Sequence, residues 1–99
     1  MKLEWSLLAV ADREQIFDYI EADNPRAAIA VDDLIQEKVE RLLQFPLSGR
    51  PGRVEGTREV IITGTPYIAA YRITTDETIR ILRVLHGARP WPEEIPNIR

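Results

Sequence analysis

The spacing of apolar residues divides the chain into a helical N-terminal part and a C-terminal part made of strands. In residues 7–22 and 25–44 apolar side chains recur every three or four positions, which predicts two amphipathic helices forming a hairpin. Ser6 and Asn24 stand where helix caps are expected, and Asn24 is followed by a proline suited to the first helical position. Asp12 is counted among the polar residues of the first helix, so we expect it on the solvent face.

After residue 56 the pattern changes to a period of two, which is typical of strands. Strands are predicted at 58–63, 67–74 and 78–86, joined by short turns into an antiparallel meander. The third is apolar on both faces, so we expect it to be central, and a short strand at residues 3–5 can join the sheet at an edge. The intervening segment 46–56 is rich in proline and glycine, which predicts an exposed, mobile loop.

The order of predicted elements is β-α-α-β-β-β. Because the helices precede the sheet and must bury their apolar stripes against it, the sequence predicts an α+β fold with a helical hairpin packed on a small antiparallel sheet. A chain of 99 residues is long enough for one domain with its own core, and we expect a single domain spanning residues 1–99.

Composition narrows the classes of protein that remain. The chain has no cysteine, which excludes disulfides, zinc ribbons and thiol nucleophiles, and no apolar run reaches the roughly 18–20 residues of a membrane span. The N-terminus lacks the pattern of a signal peptide, so we expect a cytoplasmic protein that does not enter the membrane. No phosphate-binding glycine loop and no metal-ligand cluster is recognisable, and we therefore expect neither a cofactor nor a metal.

Charge is distributed unevenly along the chain. Residues 1–49 carry a formal charge of −5 and residues 50–99 a charge of +2, and every base in the second half is arginine. The planar guanidinium group suits recognition of phosphate or carboxylate. A pI of about 5.1 argues against a protein that binds nucleic acid through bulk positive charge.

The strongest candidates for chemistry lie where the last strand ends. His86 can donate or accept a proton near neutral pH, and Arg89 follows it, so these two are the candidate catalytic residues. We expect arginines of the strands to cluster with them and to bind a phosphodiester or an acidic peptide, with an aromatic anchor beside them. The alternative is that His86 bonds to the nearby backbone. The candidate binding residues are Arg58, Arg72, Arg83, Arg89 and Trp91.

Several segments together resemble the RelE/ParE superfamily of toxins from bacterial type II toxin–antitoxin systems, and the strands are closer to the ParE branch. The resemblance implies a small α+β toxin that contributes to plasmid stabilisation and is neutralised by a cognate antitoxin in a hetero-oligomer. It covers nearly the whole chain and rests on Asp18-Tyr-Ile, Asn24-Pro-Arg-Ala-Ala, Thr57-Arg-Glu-Val, Pro66-Tyr-Ile-Ala-Ala-Tyr-Arg-Ile and Ile81-Leu-Arg-Val-Leu-His-Gly-Ala-Arg-Pro-Trp-Pro.

Two activities are implied by this resemblance. ParE-like toxins poison DNA gyrase, whereas RelE-like toxins cleave messenger RNA in the ribosomal A site with lysines, arginines and a tyrosine. The positions that correspond to those cations and the tyrosine hold Glu59, Ile61, Ile68 and Ile95 here, and Arg89 alone matches. We therefore expect a gyrase inhibitor. The alternatives are a ribosome-dependent endoribonuclease with His86 as base, or an inert relative that binds only its antitoxin.

Overall fold

Side-chain caps set the points at which the two helices begin. Ser6 Oγ accepts a hydrogen bond from the Ala9 amide at 3.0 Å, and Asn24 Oδ1 accepts one from the Ala27 amide at 3.1 Å, as the sequence predicts. The computed structural model describes residues 1–92, and no helix in that range is long and apolar enough to cross a membrane. The elements are β1 (Lys2–Trp5), α1 (Leu7–Glu21), α2 (Pro25–Glu40), a 3₁₀ turn (Arg41–Leu43), β2 (Arg50–Pro51), β3 (Arg58–Ile61), β4 (Tyr67–Ile73) and β5 (Thr78–His86).

The strands form one sheet in the order β1-β5-β4-β3-β2, which confirms the α+β class. β5 is an interior strand between β1 and β4, and β4 is the middle strand of the five. The pairs from β2 to β5 are antiparallel, but β1 lies parallel to β5. Parallel neighbours need a long connection between them, and here the hairpin and the meander together supply it. The segment predicted to be only a loop contains β2, whose Pro51 lacks an amide hydrogen and is tolerated at this edge.

The helical hairpin covers one face of the sheet. Ala9 of α1 and Ile35 and Val39 of α2 are fully buried against alternate residues of the strands. Tyr67 and Tyr71 both belong to this core, so the prediction that they share one face is confirmed. The strand residues in the core cluster are Val60, Tyr67, Ala69, Tyr71, Ile79, Ile81 and Val84.

Asp12 is buried beneath the hairpin, although the sequence pattern predicted it to face solvent. The register of β5 shifts so that Arg83 pairs with Ala70 and Ile81 with Tyr71, which leaves Leu82 as an additional residue and forms a bulge. Asp12 is 7% exposed, and its Oδ2 accepts hydrogen bonds from the Val84 amide at 2.9 Å and from Arg83 Nε at 2.8 Å. The bulged strand β5 supplies the hydrogen-bond donors that allow α1 to bury this carboxylate.

Replacement of Asp12 by alanine is expected to destabilise the protein by about 3–5 kcal/mol, because it leaves the guanidinium of Arg83 buried without that carboxylate. Urea unfolding followed by circular dichroism measures the loss. Glu4→Ala is the matched control: it breaks the Glu4–Arg80 ion pair, whose side chains are 48% and 37% exposed, and should cost less than about 1 kcal/mol. Equal losses of unfolding free energy in the two variants would contradict a strongly stabilising, buried contact between Asp12 and Arg83.

Candidate functional site

A cleft of about 350 Å³ opens beside the C-terminal end of β5, between that strand and α1. The strand ends at His86 because Gly87 turns the chain, donating its amide hydrogen to Pro66 O at 2.8 Å. A Cβ atom at Gly87 would lie 2.7 Å from Ile68 Cδ1, so a larger residue at this turn would require the end of the Ile68 side chain to shift. We call this cavity the His86 cleft; it is lined by Asp12, Gln15, Ile16, Tyr19, Tyr67, Val84, Leu85, His86, Arg89, Pro90 and Trp91.

His86 is oriented by two neighbours. Its Nδ1 accepts a hydrogen bond from the Ala88 amide at 3.2 Å, and its ring meets Tyr67 edge to face with centroids 5.8 Å apart. The backbone bond that was the alternative for His86 is therefore present, yet the imidazole still lines the cleft. Because Nδ1 accepts, a neutral His86 carries its proton on Nε2, which makes Nε2 a hydrogen-bond donor.

Arg89 supplies an exposed positive charge at the rim of the cleft. Burial raises the pKa of Tyr67 above 10.0, and the Arg89 charge opposes that rise, which places the guanidinium within electrostatic reach of the phenol. The cleft thus combines a cation with the aromatic rings of Tyr67, His86 and Trp91. This combination suits an anionic group attached to an apolar or planar body.

Trp91 forms one wall of the cleft and is covered by Arg53. The Arg53 guanidinium carbon lies 3.8 Å from the Trp91 ring centroid, and Arg53 Nη2 donates to Gly87 O at 3.4 Å. The indole Nε1 is buried and has no hydrogen-bond partner among residues 1–92. Sequence reasoning assigned Arg53 only to a loop, because nothing local indicates a contact with a residue 38 positions further along the chain.

The prediction that the strand arginines cluster around His86 is wrong. Asp12 binds Arg83, whose side chain is 11% exposed, and Arg58 Nη1 donates to Gly49 O at 2.9 Å in the loop that precedes β2. Arg72 pairs in register with Arg80 on the sheet face opposite the helices. Of the five candidate binding residues, the structure brings Arg89 and Trp91 to His86, while Arg58 and Arg72 lie elsewhere and Arg83 reaches the cleft region through Asp12.

Glu59, Ile61 and Ile68 stand at the positions where the RelE/ParE resemblance implies cations for RNA cleavage. Glu59 is 3% exposed, and its Oε2 accepts a hydrogen bond from the Arg53 amide at 2.8 Å. Ile61 is 47% exposed and Ile68 is buried, and neither can bind a phosphate oxygen. Ile95, the fourth such position, lies outside the described residues.

A second and larger cleft, of about 570 Å³, lies between the two helices next to β1. Its floor contains Trp5, and the Arg13 guanidinium stacks 4.6 Å from the Trp5 ring centroid while forming a 2.9 Å ion pair with Asp32. β1 is the terminal strand of the sheet, so its outer backbone edge is not used by any other strand of residues 1–92. We call this region the β1 groove; it suits a partner that adds a strand or a helix.

Comparisons with known proteins agree with this architecture. The family described as the ParE toxin of the type II toxin-antitoxin system, parDE, matches residues 3–91. Y4kP, a proposed toxin of Sinorhizobium fredii, is 41% identical over 92 residues, covering 93% of this chain and 94% of the relative.

Two solved structures share the fold. A chain of the chromosomal ParDE TA system from P. aeruginosa superposes with a TM-score of 0.79 at 30% identity, covering 87% of this chain and 95% of the other. A chain of the toxin-antitoxin complex RelBE2 from Mycobacterium tuberculosis gives a TM-score of 0.60 at 28% identity, covering 86% and 95%. The similarity is therefore closer to the ParDE chain than to the RelBE2 chain.

Replacement of Arg89 by glutamine should raise the pKa of Tyr67 further above 10.0, because the charge that opposes the burial effect is lost. The titration of a ¹³C-labelled tyrosine ring by NMR between pH 8 and 12 measures this shift. Arg26→Gln changes an exposed arginine of α2 and should leave the titration unchanged. A Tyr67 titration that is identical in Arg89→Gln and the parent would contradict an electrostatic contact between Arg89 and Tyr67 in the cleft.

Proposed function

Because the chain belongs to the ParE toxin family of type II toxin–antitoxin systems, we propose that it arrests growth by inhibiting DNA gyrase in the cytoplasm. The observation that carries this proposal is the match of residues 3–91 to the ParE family, together with the closer superposition on the ParDE chain. Inhibition of this kind requires binding at gyrase and no bond chemistry by the toxin itself.

The chemistry of the surface supports binding over RNA cleavage. Cleavage of a phosphodiester needs positive groups close to the reacting phosphate, and the positions that would supply them hold Glu59, Ile61 and Ile68. A buried carboxylate at the first of these positions disfavours a phosphate there. We assign contact with gyrase to the His86 cleft, where His86, Arg89 and Trp91 combine a donor, a cation and an aromatic face.

A cognate antitoxin is the second proposed partner. The solved neighbours are a ParDE TA system and a RelBE2 toxin-antitoxin complex, and beside the β1 groove this chain has a strand edge that no other strand of residues 1–92 pairs with. A disordered antitoxin segment can fold into such a groove by adding a strand to β1 or by packing a helix between α1 and α2. Such a pair, encoded together, would stabilise the plasmid that carries it.

One observation favours a second candidate function, a ribosome-dependent endoribonuclease. His86 lines a cleft that also contains Arg89, and a histidine beside a cation is the minimal combination for proton transfer next to an anionic phosphate. The RelBE2 chain shares the fold with a TM-score of 0.60. In this alternative Arg89 stabilises charge on the phosphate and His86 is the base, accepting the proton at Nδ1 once that atom has released the Ala88 amide.

Arg89→Ala and Trp91→Ala should each weaken inhibition of gyrase supercoiling by about tenfold or more, as expected when an arginine or tryptophan anchor is truncated. The assay compares the toxin concentration that halves supercoiling and the amount of cleaved gyrase–DNA complex. Arg26→Ala, which changes a residue outside both clefts, should retain full potency, and unchanged circular dichroism excludes unfolding. Full gyrase activity at excess parent toxin, together with codon-specific cuts in a translated message, would overturn the proposal in favour of the endoribonuclease.

A further inference from the structure

Arg53 links strand β3 to the segment that follows β5, which is more than 30 residues further along the chain. Its backbone amide donates to Glu59 Oε2 at 2.8 Å, and its Nε lies 3.7 Å from the same oxygen. Its Nη2 donates to Gly87 O, and its guanidinium carbon lies over the Trp91 ring, 3.8 Å from the ring centroid. We call Glu59, Arg53 and Trp91 the latch.

The latch has a rigid end and an adaptable end. Glu59 lies on β3, is 3% exposed and pairs in register with Ala70 of β4, so its carboxylate is fixed by the sheet. Trp91 lies five residues beyond the end of β5, in a segment without regular secondary structure. Arg53 contacts both Glu59 and Trp91, and it therefore ties the position of the tryptophan to that of the sheet.

The position of Trp91 affects the shape of the His86 cleft, because the indole is one of its walls. Within the described part of the chain the buried Nε1 has no hydrogen-bond partner, so residues 1–92 do not anchor the indole through its polar atom. A guanidinium at 3.8 Å from the ring centroid is within the range of a cation–π contact, which orients the ring without using Nε1.

We propose that Arg53 is a positioning residue of the His86 cleft: held by Glu59, it fixes Trp91 and thereby the wall against which the target binds. The role in target binding rests on the proposed function of the cleft, whereas the effect on Trp91 does not. The backbone bond to Glu59 is kept whatever side chain stands at residue 53, so a substitution there removes the contact with Trp91 and leaves the loop attached.

Arg50 provides a matched control. It also pairs with Glu59, at 3.4 Å, and its side chain is 53% exposed, compared with 44% for Arg53. Among residues 1–92, Arg50 forms neither a cation–π contact nor a hydrogen bond with Trp91. Arg50→Gln and Arg53→Gln therefore each remove one half-exposed charge from Glu59, but only Arg53→Gln releases the tryptophan.

Fluorescence of Trp91 in the full-length Trp5→Phe protein tests the first step. Arg53→Gln should shift the emission to longer wavelength and raise acrylamide quenching about two- to fivefold, the population change expected when a contact of this strength is lost. Arg53→Lys keeps a cation and should restore part of the parent signal, and Arg50→Gln should leave it unchanged. Identical emission and quenching in Arg53→Gln and the parent would overturn the latch.

Gyrase supercoiling tests the second step with the same variants. Arg53→Gln should weaken inhibition about two- to fivefold, whereas Arg50→Gln should not. The two variants should have the same thermal unfolding midpoint, so that a difference in potency does not reflect a difference in stability. If Trp91 moves in Arg53→Gln but potency stays at the parent level, Arg53 is not a positioning residue for the target. If the parent itself leaves gyrase active, the proposed function fails, and the fluorescence result still decides whether the latch exists.

Discussion

The burial of one carboxylate under the helical hairpin is the interaction on which the rest of the structure depends. Removing Asp12 from water is costly, and the cost is offset because the carboxylate accepts hydrogen bonds from the Arg83 side chain and the Val84 amide. These bonds join α1 to the bulge of β5 and so fix the relative position of helix and strand. The same two elements form opposite walls of the His86 cleft, which means that the cleft inherits its geometry from this buried contact.

Local signals were sufficient for most of the fold. Caps at Ser6 and Asn24 and the change of period after residue 56 involve neighbours in sequence, and the structure has helices and strands where they predict them. The parallel pairing of β1 and the short β2 depend on partners far along the chain, so periodicity could not predict them. Asp12 did carry a signal that was missed, because its spacing from Ala9 and Ile16 places it on the buried stripe of α1.

In the candidate site, too, only the residues that are close together in sequence could be predicted to lie together. His86, Arg89 and Trp91 were found because they follow one another where a strand ends, and continuity of the chain keeps them together. The arginines of the strands were separated by register: Arg58 lies opposite Tyr71, on the side of the hairpin, whereas Arg72 lies opposite Arg80 on the other face. The type of a residue does not indicate which residue it pairs with on the neighbouring strand. No sequence pattern could predict the contact between Arg53 and Trp91.

The charges of the cleft favour recognition over catalysis. Arg83 is neutralised by Asp12, so among residues 1–92 Arg89 is the exposed cation that lines the cleft. A single guanidinium gives weaker stabilisation of a phosphodiester transition state than a cluster does. Bulk electrostatics add no attraction for nucleic acid, because the chain carries a net charge of −3. A shallow aromatic surface with one cation is instead typical of the anchors that bind another protein, since desolvated tryptophan and arginine supply much of the affinity of such interfaces. Specificity for a protein target would then reside in the shape of this surface, which the fold controls from both sides: Asp12 through α1 and β5, and Glu59 through Arg53 and Trp91.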